Sequence, residues 1–163
     1  MKNPIKEKIT ISLLEKHHSA DIAQLAVCLT QEIVERTGVN QFDVDAPLAT
    51  SLCERYIENG QYHVLAAQFE NHIIGFGALC ESHSLYAEGT FGILQEFYVL
   101  PEYRSENVGK RLINAIAMYA KQKNWKRLEL CTPPIPEFDR TVAFYKDNGF
   151  EITGGYKMKR LIK

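Results

Sequence analysis

Few cysteines, no long apolar run and almost no net charge mark this chain, and each scarcity excludes something. The four cysteines, Cys28, Cys53, Cys80 and Cys131, stand far apart. None forms a C-x-x-C, and none lies beside a histidine at zinc-ligand spacing. Neither a disulfide framework nor a structural metal site is expected, and reduced thiols packed in a cytoplasmic protein are. No apolar run approaches the ~20 residues of a membrane span. The first ten residues, MKNPIKEKIT, hold no apolar stretch, so no secretory leader is expected either. Lys and Arg total 19 against 20 Asp and Glu, a formal net charge of −1. That balance argues against a nucleic-acid partner, which is usually met by a basic surface. No G-x-x-x-x-G-K-[ST] phosphate loop occurs. Five histidines, His17, His18, His63, His72 and His83, have no metal partner near them in sequence and read as surface or capping groups.

What is present is ordinary globular material. Apolar residues make up 45% of the 163 and charged residues 24%, enough to bury a core without a covalent staple. No repeat, low-complexity stretch or linker divides the chain, so one domain over 1–163 is expected. Lys8 to Glu15 alternates and is β-branched, a first strand. Ile22, Leu25, Leu29 and Ile33 keep helical spacing, with Ser19 or Asp21 as cap and Gly38 as stop. After the loop NQFDVDAP, a second helix is expected from Pro47 to Asn59, with proline in its first turn. Three strands follow in meander order, over 62–70, 72–81 and 90–100, and the short turns between them imply antiparallel pairing. Val108 to Lys123 carries one apolar stripe of Leu112, Ile113, Ile116, Ala117 and Ala120. Arg127 to Cys131 reads as a short buried strand. A helix capped by Asp139 then runs to Asn148 with Gly149 as its stop. Two last strands are expected over 150–153 and 156–162. The order is β-α-α-β-β-β-α-β-α-β-β. It predicts an α+β (mixed α/β) fold, with a mostly antiparallel twisted sheet of about seven strands and helices on both faces. The unit from Thr90 to Cys131 alone is long enough for a parallel crossover.

The segment with chemistry in it is PEYRSENVGKRL, Pro101 to Leu112. It is a polar turn that feeds straight into a helix. The free N–H groups and dipole of a helix start favour an anion, and Arg104, Lys110 and Arg111 add positive charge. Alone, such a turn is more often just a solvated helix start. Its surroundings change that reading. The strand ILQEFYV runs into it, and VAFYKDNGF, Val142 to Phe150, follows downstream.

Together these segments resemble the GNAT superfamily of N-acetyltransferases. Val99, Pro101, Arg104, Gly109 and Leu112 match its V-x-P-x-x-R/Q-x-x-G-x-G/A-x-x-L signature, and Phe144, Tyr145, Gly149 and Phe150 match its later FY-x-x-x-GF. The element order agrees along essentially the whole chain. Two departures stand out: Asn107 replaces the first glycine of the loop, and Phe138 replaces an asparagine upstream of the Phe-Tyr pair. Asparagine tolerates the left-handed region better than most residues, so the loop is expected to form.

The resemblance implies acetyl-coenzyme A as co-substrate, with no metal. Its pyrophosphate would lie on the backbone of Arg104, Ser105, Glu106, Asn107, Val108, Gly109 and Lys110. Its pantetheine arm would pair along Phe97, Tyr98 and Val99, in a gap where this strand splays from the next. Phe144 and Tyr145 would complete the cofactor side. The N–H of Tyr98 or Val99 is the candidate oxyanion donor. Tyr145 is the candidate proton donor to the leaving thiolate; its other reading is a helix residue packed beside Phe144. Glu96 is the candidate base, because a carboxylate within an apolar strand needs a reason and apolar surroundings would raise its pKa. Its other reading is a solvated or ion-paired group. Gln95 lies on the opposite face by strand alternation, and register decides which of the two meets substrate. Toward the acceptor the chain offers Glu32, Arg36, Asp43 and Asp45, whose acidic groups could hold a cationic amine or form a polar helix face and a capped loop. Tyr86, Glu88 and Phe91 flank the catalytic strand.

The leading expectation is acetyl transfer to a primary amine of a small molecule or peptide. The alternatives are a non-catalytic acyl-coenzyme A sensor of the same fold and an unrelated nucleotide-binding domain. A homodimer through the late strands or helix faces is compatible with the family.

Overall fold

A computed structural model describes residues 8–162. The chain divides into two compact units, 1–130 and 131–163. The first unit is built on a five-stranded sheet in the order β1-β2-β3-β4-β5. Its strands are β1 (Thr10–Leu13), β2 (His63–Phe69), β3 (His72–Ser84), β4 (Gly89–Val99) and β5 (Leu128–Leu130). The first four pair antiparallel, and β5 joins β4 in parallel. That parallel pair is the one closed by the long Thr90–Cys131 crossover, as its length requires. At the β2–β3 turn, Glu70 and Asn71 both take positive φ, 48° and 68°, the twist a two-residue hairpin needs.

Helices cover both faces of this sheet. On one, α1 (Ser19–Thr37) and α2 (Ala46–Glu58) pack Ile22, Leu25 and Cys53 against Val64, Ala66, Phe76, Ala78 and Tyr98. On the other, α3 (Val108–Gln122) packs Val108 and Leu112 against Ala67, Ile74 and Val99. The stripe read from sequence is the buried face of α3 except at Ala117, which is exposed; Leu112 and Ile116 are fully enclosed. Gly38 ends α1 in the left-handed conformation at φ 69°. Asp45 caps α2, its side chain accepting from the Leu48 N–H at 2.8 Å. The start of α1 differs from expectation. The capping position is His18, and Ser19 lies one residue inside, fully buried.

The second unit holds α4 (Asp139–Asp147), whose Tyr145 is buried and meets Phe144 and Phe150 edge-on, with ring centroids 5.4 and 5.5 Å away. The two strands expected over 150–153 and 156–162 do not form, so the sheet has five strands among the described residues rather than about seven. Apolar alternation marks a face, but a strand also needs a neighbour to take its N–H and C=O groups, and a lone hairpin is marginal in water. Here Gly154 and Gly155 both stand at positive φ, 89° and 86°. Ile152, Tyr156, Met158 and Leu161 are exposed.

Candidate active site

The site is best built from β4 outward. Its register against β3 runs Ala78 to Glu96 and then Leu79 to Leu94, so Gln95 is an extra, bulged residue. The bulge corrects the expectation from simple alternation. Gln95 donates from its amide nitrogen to the Cys80 sulfur at 3.2 Å. Glu96 accepts from Tyr62 and sits within electrostatic range of Cys53 on α2. Cys80 in turn influences Tyr62. Gln95 and Glu96 therefore share the face covered by α1 and α2. Gln95 is exposed, whereas Glu96 is drawn into the protein.

Glu96 has the environment of a base. Burial raises its pKa above the ordinary 4.5, and the Tyr62 hydroxyl, donating to Oε1 over a long 3.4 Å, only partly opposes that. Its second oxygen, Oε2, is buried with no hydrogen-bond partner among the described residues. A carboxylate oxygen in that state has a strong drive to take up a proton. Tyr62 is itself pushed up, by burial first and then by the Glu96 charge, so it stays a phenol. Tyr62 had no signal in the sequence beyond its type. It follows the Asn59-Gly60 turn, and only the β2–β3–β4 register brings it to Glu96.

The other edge of β4 is where β5 stops. The parallel register ends at Leu94 opposite Leu130, and residues 95–99 continue past it. The Leu100 N–H donates to Ile74 at 2.9 Å. Alternation along the ladder then turns the Tyr98 N–H toward β3 as well. The N–H groups of Phe97 and Val99 point to the side that β5 has vacated. Of the two oxyanion donors considered, only Val99 faces that side.

Pro101–Glu106 forms a 3-10 turn, and Asn107 then takes φ 59°, ψ 17° to start α3. The left-handed step that a glycine would give is thus made by asparagine. The first N–H groups of α3, from Val108, Gly109 and Lys110, have no partner within the helix, which is the arrangement that receives an anion. Lys110 is exposed at the third helical position. The other two cations of the motif are engaged elsewhere. Arg111 donates to the Ile9 carbonyl at 2.6 Å. Arg104 donates from Nε to the Val99 carbonyl at 2.9 Å, from Nη1 to Glu32 Oε1 at 3.0 Å and from Nη2 to Glu32 Oε2 at 2.6 Å. Ser105 and Glu106 belong to this turn by their backbone.

The acceptor-side candidates are not gathered. Glu32 is held by Arg104 and, at 3.3 Å, by Arg36, and these hydrogen bonds keep its carboxyl below the ordinary range. Asp43 is exposed and lines a cleft of about 420 Å³ with Val27, Thr30, Val34, Glu35 and Phe42. Asp45 is occupied as the cap of α2. Tyr86 donates to Glu129, and Arg127 stacks on its ring at 4.7 Å, so this group ties the β3–β4 loop to β5. Phe144 is half-buried, and burial raises the Tyr145 phenol. Among the described residues no cluster could hold a metal ion, and no helix is long and apolar enough to cross a membrane.

The residues present fit a coenzyme A group: a strand segment, 95–99, that runs on past the end of β5, and a helix start preceded by a left-handed turn. Comparison with known proteins agrees. A family profile described as an acetyltransferase (GNAT) domain matches residues 59–152. An uncharacterized N-acetyltransferase of Bacillus subtilis (strain 168) is 30% identical over 108 residues, 66% of this chain and 71% of its own. Among solved structures, a ribosomal-protein-alanine N-acetyltransferase from Brucella melitensis biovar Abortus 2308 superposes with TM-score 0.70 at 19% identity, over 94% of this chain and 99% of that one. An aminoglycoside N-acetyltransferase in complex with CoA gives TM-score 0.75 at 20% identity, over 94% of each chain. At those identities the structural likeness is one of fold.

Proposed function

The chain belongs to the GNAT acetyltransferase family, and from that premise we propose that it moves an acetyl group from acetyl-coenzyme A to a primary amine of a small molecule or peptide. The observation that carries this reading is Glu96: a carboxylate with a raised pKa and an orphaned buried oxygen, beside the strand edge that β5 leaves uncovered. When bound, acetyl-coenzyme A supplies an acyl group activated as a thioester. The work of the chain's own residues follows from their chemistry. An amine attacks only as the neutral base, and Glu96 takes its proton, directly or through water. The Val99 N–H, facing the open edge, stabilises negative charge on the acyl oxygen. As the N–C bond forms and the C–S bond breaks, a proton must reach the departing sulfur. Tyr145 is the proposed donor, on its match to the family motif and on the burial that keeps it protonated. The backbone of 104–110 and the exposed Lys110 would hold the pyrophosphate, the N–H and C=O groups of 97–99 would hold the pantetheine, and Phe144 would pack on the cofactor side.

Three further readings belong with this one. The family match runs through both compact units, which supports one functional domain over 1–163. Four free cysteines suit a cytoplasmic setting. The acceptor side is acidic, with Asp43 and Glu35 on its cleft, which favours a cationic amine. Neighbours in fold act on aminoglycosides and on a ribosomal protein, and both classes belong in a test panel. The test is release of free thiol from acetyl-coenzyme A across aminoglycosides, polyamines and peptides. Release that depends on one amine class, and that falls at least a hundredfold in Glu96→Gln, is expected. Tight binding of acetyl-coenzyme A with no amine-dependent release would instead identify a sensor.

A further inference from the structure

Arg104 looks like a phosphate ligand by its place in the motif, yet most of its guanidinium is already engaged. Three of its N–H groups are directed within the protein, to both oxygens of Glu32 and to the carbonyl of Val99. Its Cζ lies 5.2 Å from the Tyr98 ring centroid. A forked donor can meet a carboxylate two-fold and still reach a third acceptor, which an ammonium cannot do in fixed geometry. The carboxylate, shared with Arg36, also offsets part of its charge. The partner is informative too. Glu32 sits in the C-terminal half of α1, 72 residues away in sequence, and its side chain is only 22% exposed. Arg104 thus joins three things at one point: the last residue of β4, the turn that leads to Asn107, and α1.

We propose that Glu32 and Arg104 form a latch that positions the cofactor turn, with Glu32 as a positioning residue for coenzyme A binding rather than a ligand of the acceptor amine. Fixing the Val99 carbonyl sets the end of the open strand edge. Fixing the turn sets the left-handed Asn107 and, through it, the first N–H groups of α3. The proposal rests on the coenzyme A reading of the turn, but its geometry is testable in the ligand-free protein.

The two readings of Arg104 predict opposite signs. If its role is to bind phosphate, removing the Glu32 charge frees it, and Glu32→Gln binds coenzyme A more tightly. If it is a latch, Glu32→Gln loosens the turn and weakens binding by about fivefold or more. Two measurements decide. The first is hydrogen exchange of the ligand-free full chain. Amides of 103–111 should exchange faster in Glu32→Gln and in Arg104→Gln, and the double variant should be no faster than either, since both remove one interaction. Gly38→Ala, which strains the end of α1 at φ 69° while keeping both latch side chains, should leave these amides unchanged, a result that general loosening of α1 would not give. The second is titration with coenzyme A, weaker in both single variants. Unchanged exchange at 103–111, or coenzyme A bound equally or more tightly by Glu32→Gln, overturns the latch. If the unaltered protein binds no coenzyme A, the proposed function fails, and the exchange result alone decides the latch.

Discussion

Glu96 joins two properties that are usually opposed, since the burial that makes it a better base also makes it a worse structural residue. The folded protein holds its pKa above the ordinary 4.5 and so favours the protonated form. Stability from this group is fully present below that ordinary value and is lost as pH rises through the folded value. Glu96→Gln cannot ionise, and its carbonyl can still accept from Tyr62. It is expected to melt at a higher temperature than the unaltered protein near pH 7.5, with the advantage gone by about pH 4. Calorimetric melting over that range checks it, and equal melting at pH 7.5 would mean that Glu96 is solvated. Asn107 offers a second test. At φ 59° a β-carbon is strained, and asparagine tolerates this better than alanine. Asn107→Ala should cost about 1 kcal/mol in denaturant unfolding, while Asn107→Gly should stay within a few tenths. Of these residues the sequence announced Glu96 and Asn107 by their context. It announced neither Tyr62, which has no local signal, nor the bulge at Gln95, because ILQEFYV contains no glycine or proline to mark one.

At the scale of elements, α3 was legible because its stripe has the period of a helix and its start follows a motif. The meander was legible because its turns are short. The two late strands were not, since alternation reports a face and cannot report whether a partner strand is available. The helix start can be tested without disturbing the fold. Lys110 occupies the third position of α3, where a negative charge suits the dipole. Lys110→Glu should therefore leave melting unchanged or raise stability by about 0.3–1 kcal/mol. The same charge opposes a bound pyrophosphate, so coenzyme A affinity should fall roughly tenfold in competition binding. A loss of stability equal to the loss of binding would argue against the anion site. The β4–β5 pair has its own tight point. A β-carbon on Gly92 would overlap the Trp125 ring and stand 2.8 Å from Leu128 Cδ2. The ring cannot withdraw easily, since Trp125 is buried and its Nε1 donates to Glu81 at 2.7 Å. Gly92→Ala should cost about 1–3 kcal/mol in equilibrium unfolding.

For the molecule as a whole, the mixed fold and the family could be read from two motifs and the element order, because both survive exchange of most other residues. The acceptor could not, because it is chosen by side chains that tertiary packing brings together. Glu32 shows why: its place on a polar helix face suggested a substrate ligand, and only the folded chain reveals the Arg104 fork around it. We expect the turn into α3 and the edge of β4 beyond β5 to receive acetyl-coenzyme A. The measurement that tests it most directly is calorimetric titration of the full chain with acetyl-coenzyme A, repeated with ATP as competitor. Micromolar binding that ATP displaces only weakly is the predicted result, since the pantetheine along 97–99 adds contacts that a nucleotide lacks. No binding, or displacement by ATP at equal concentration, would contradict it.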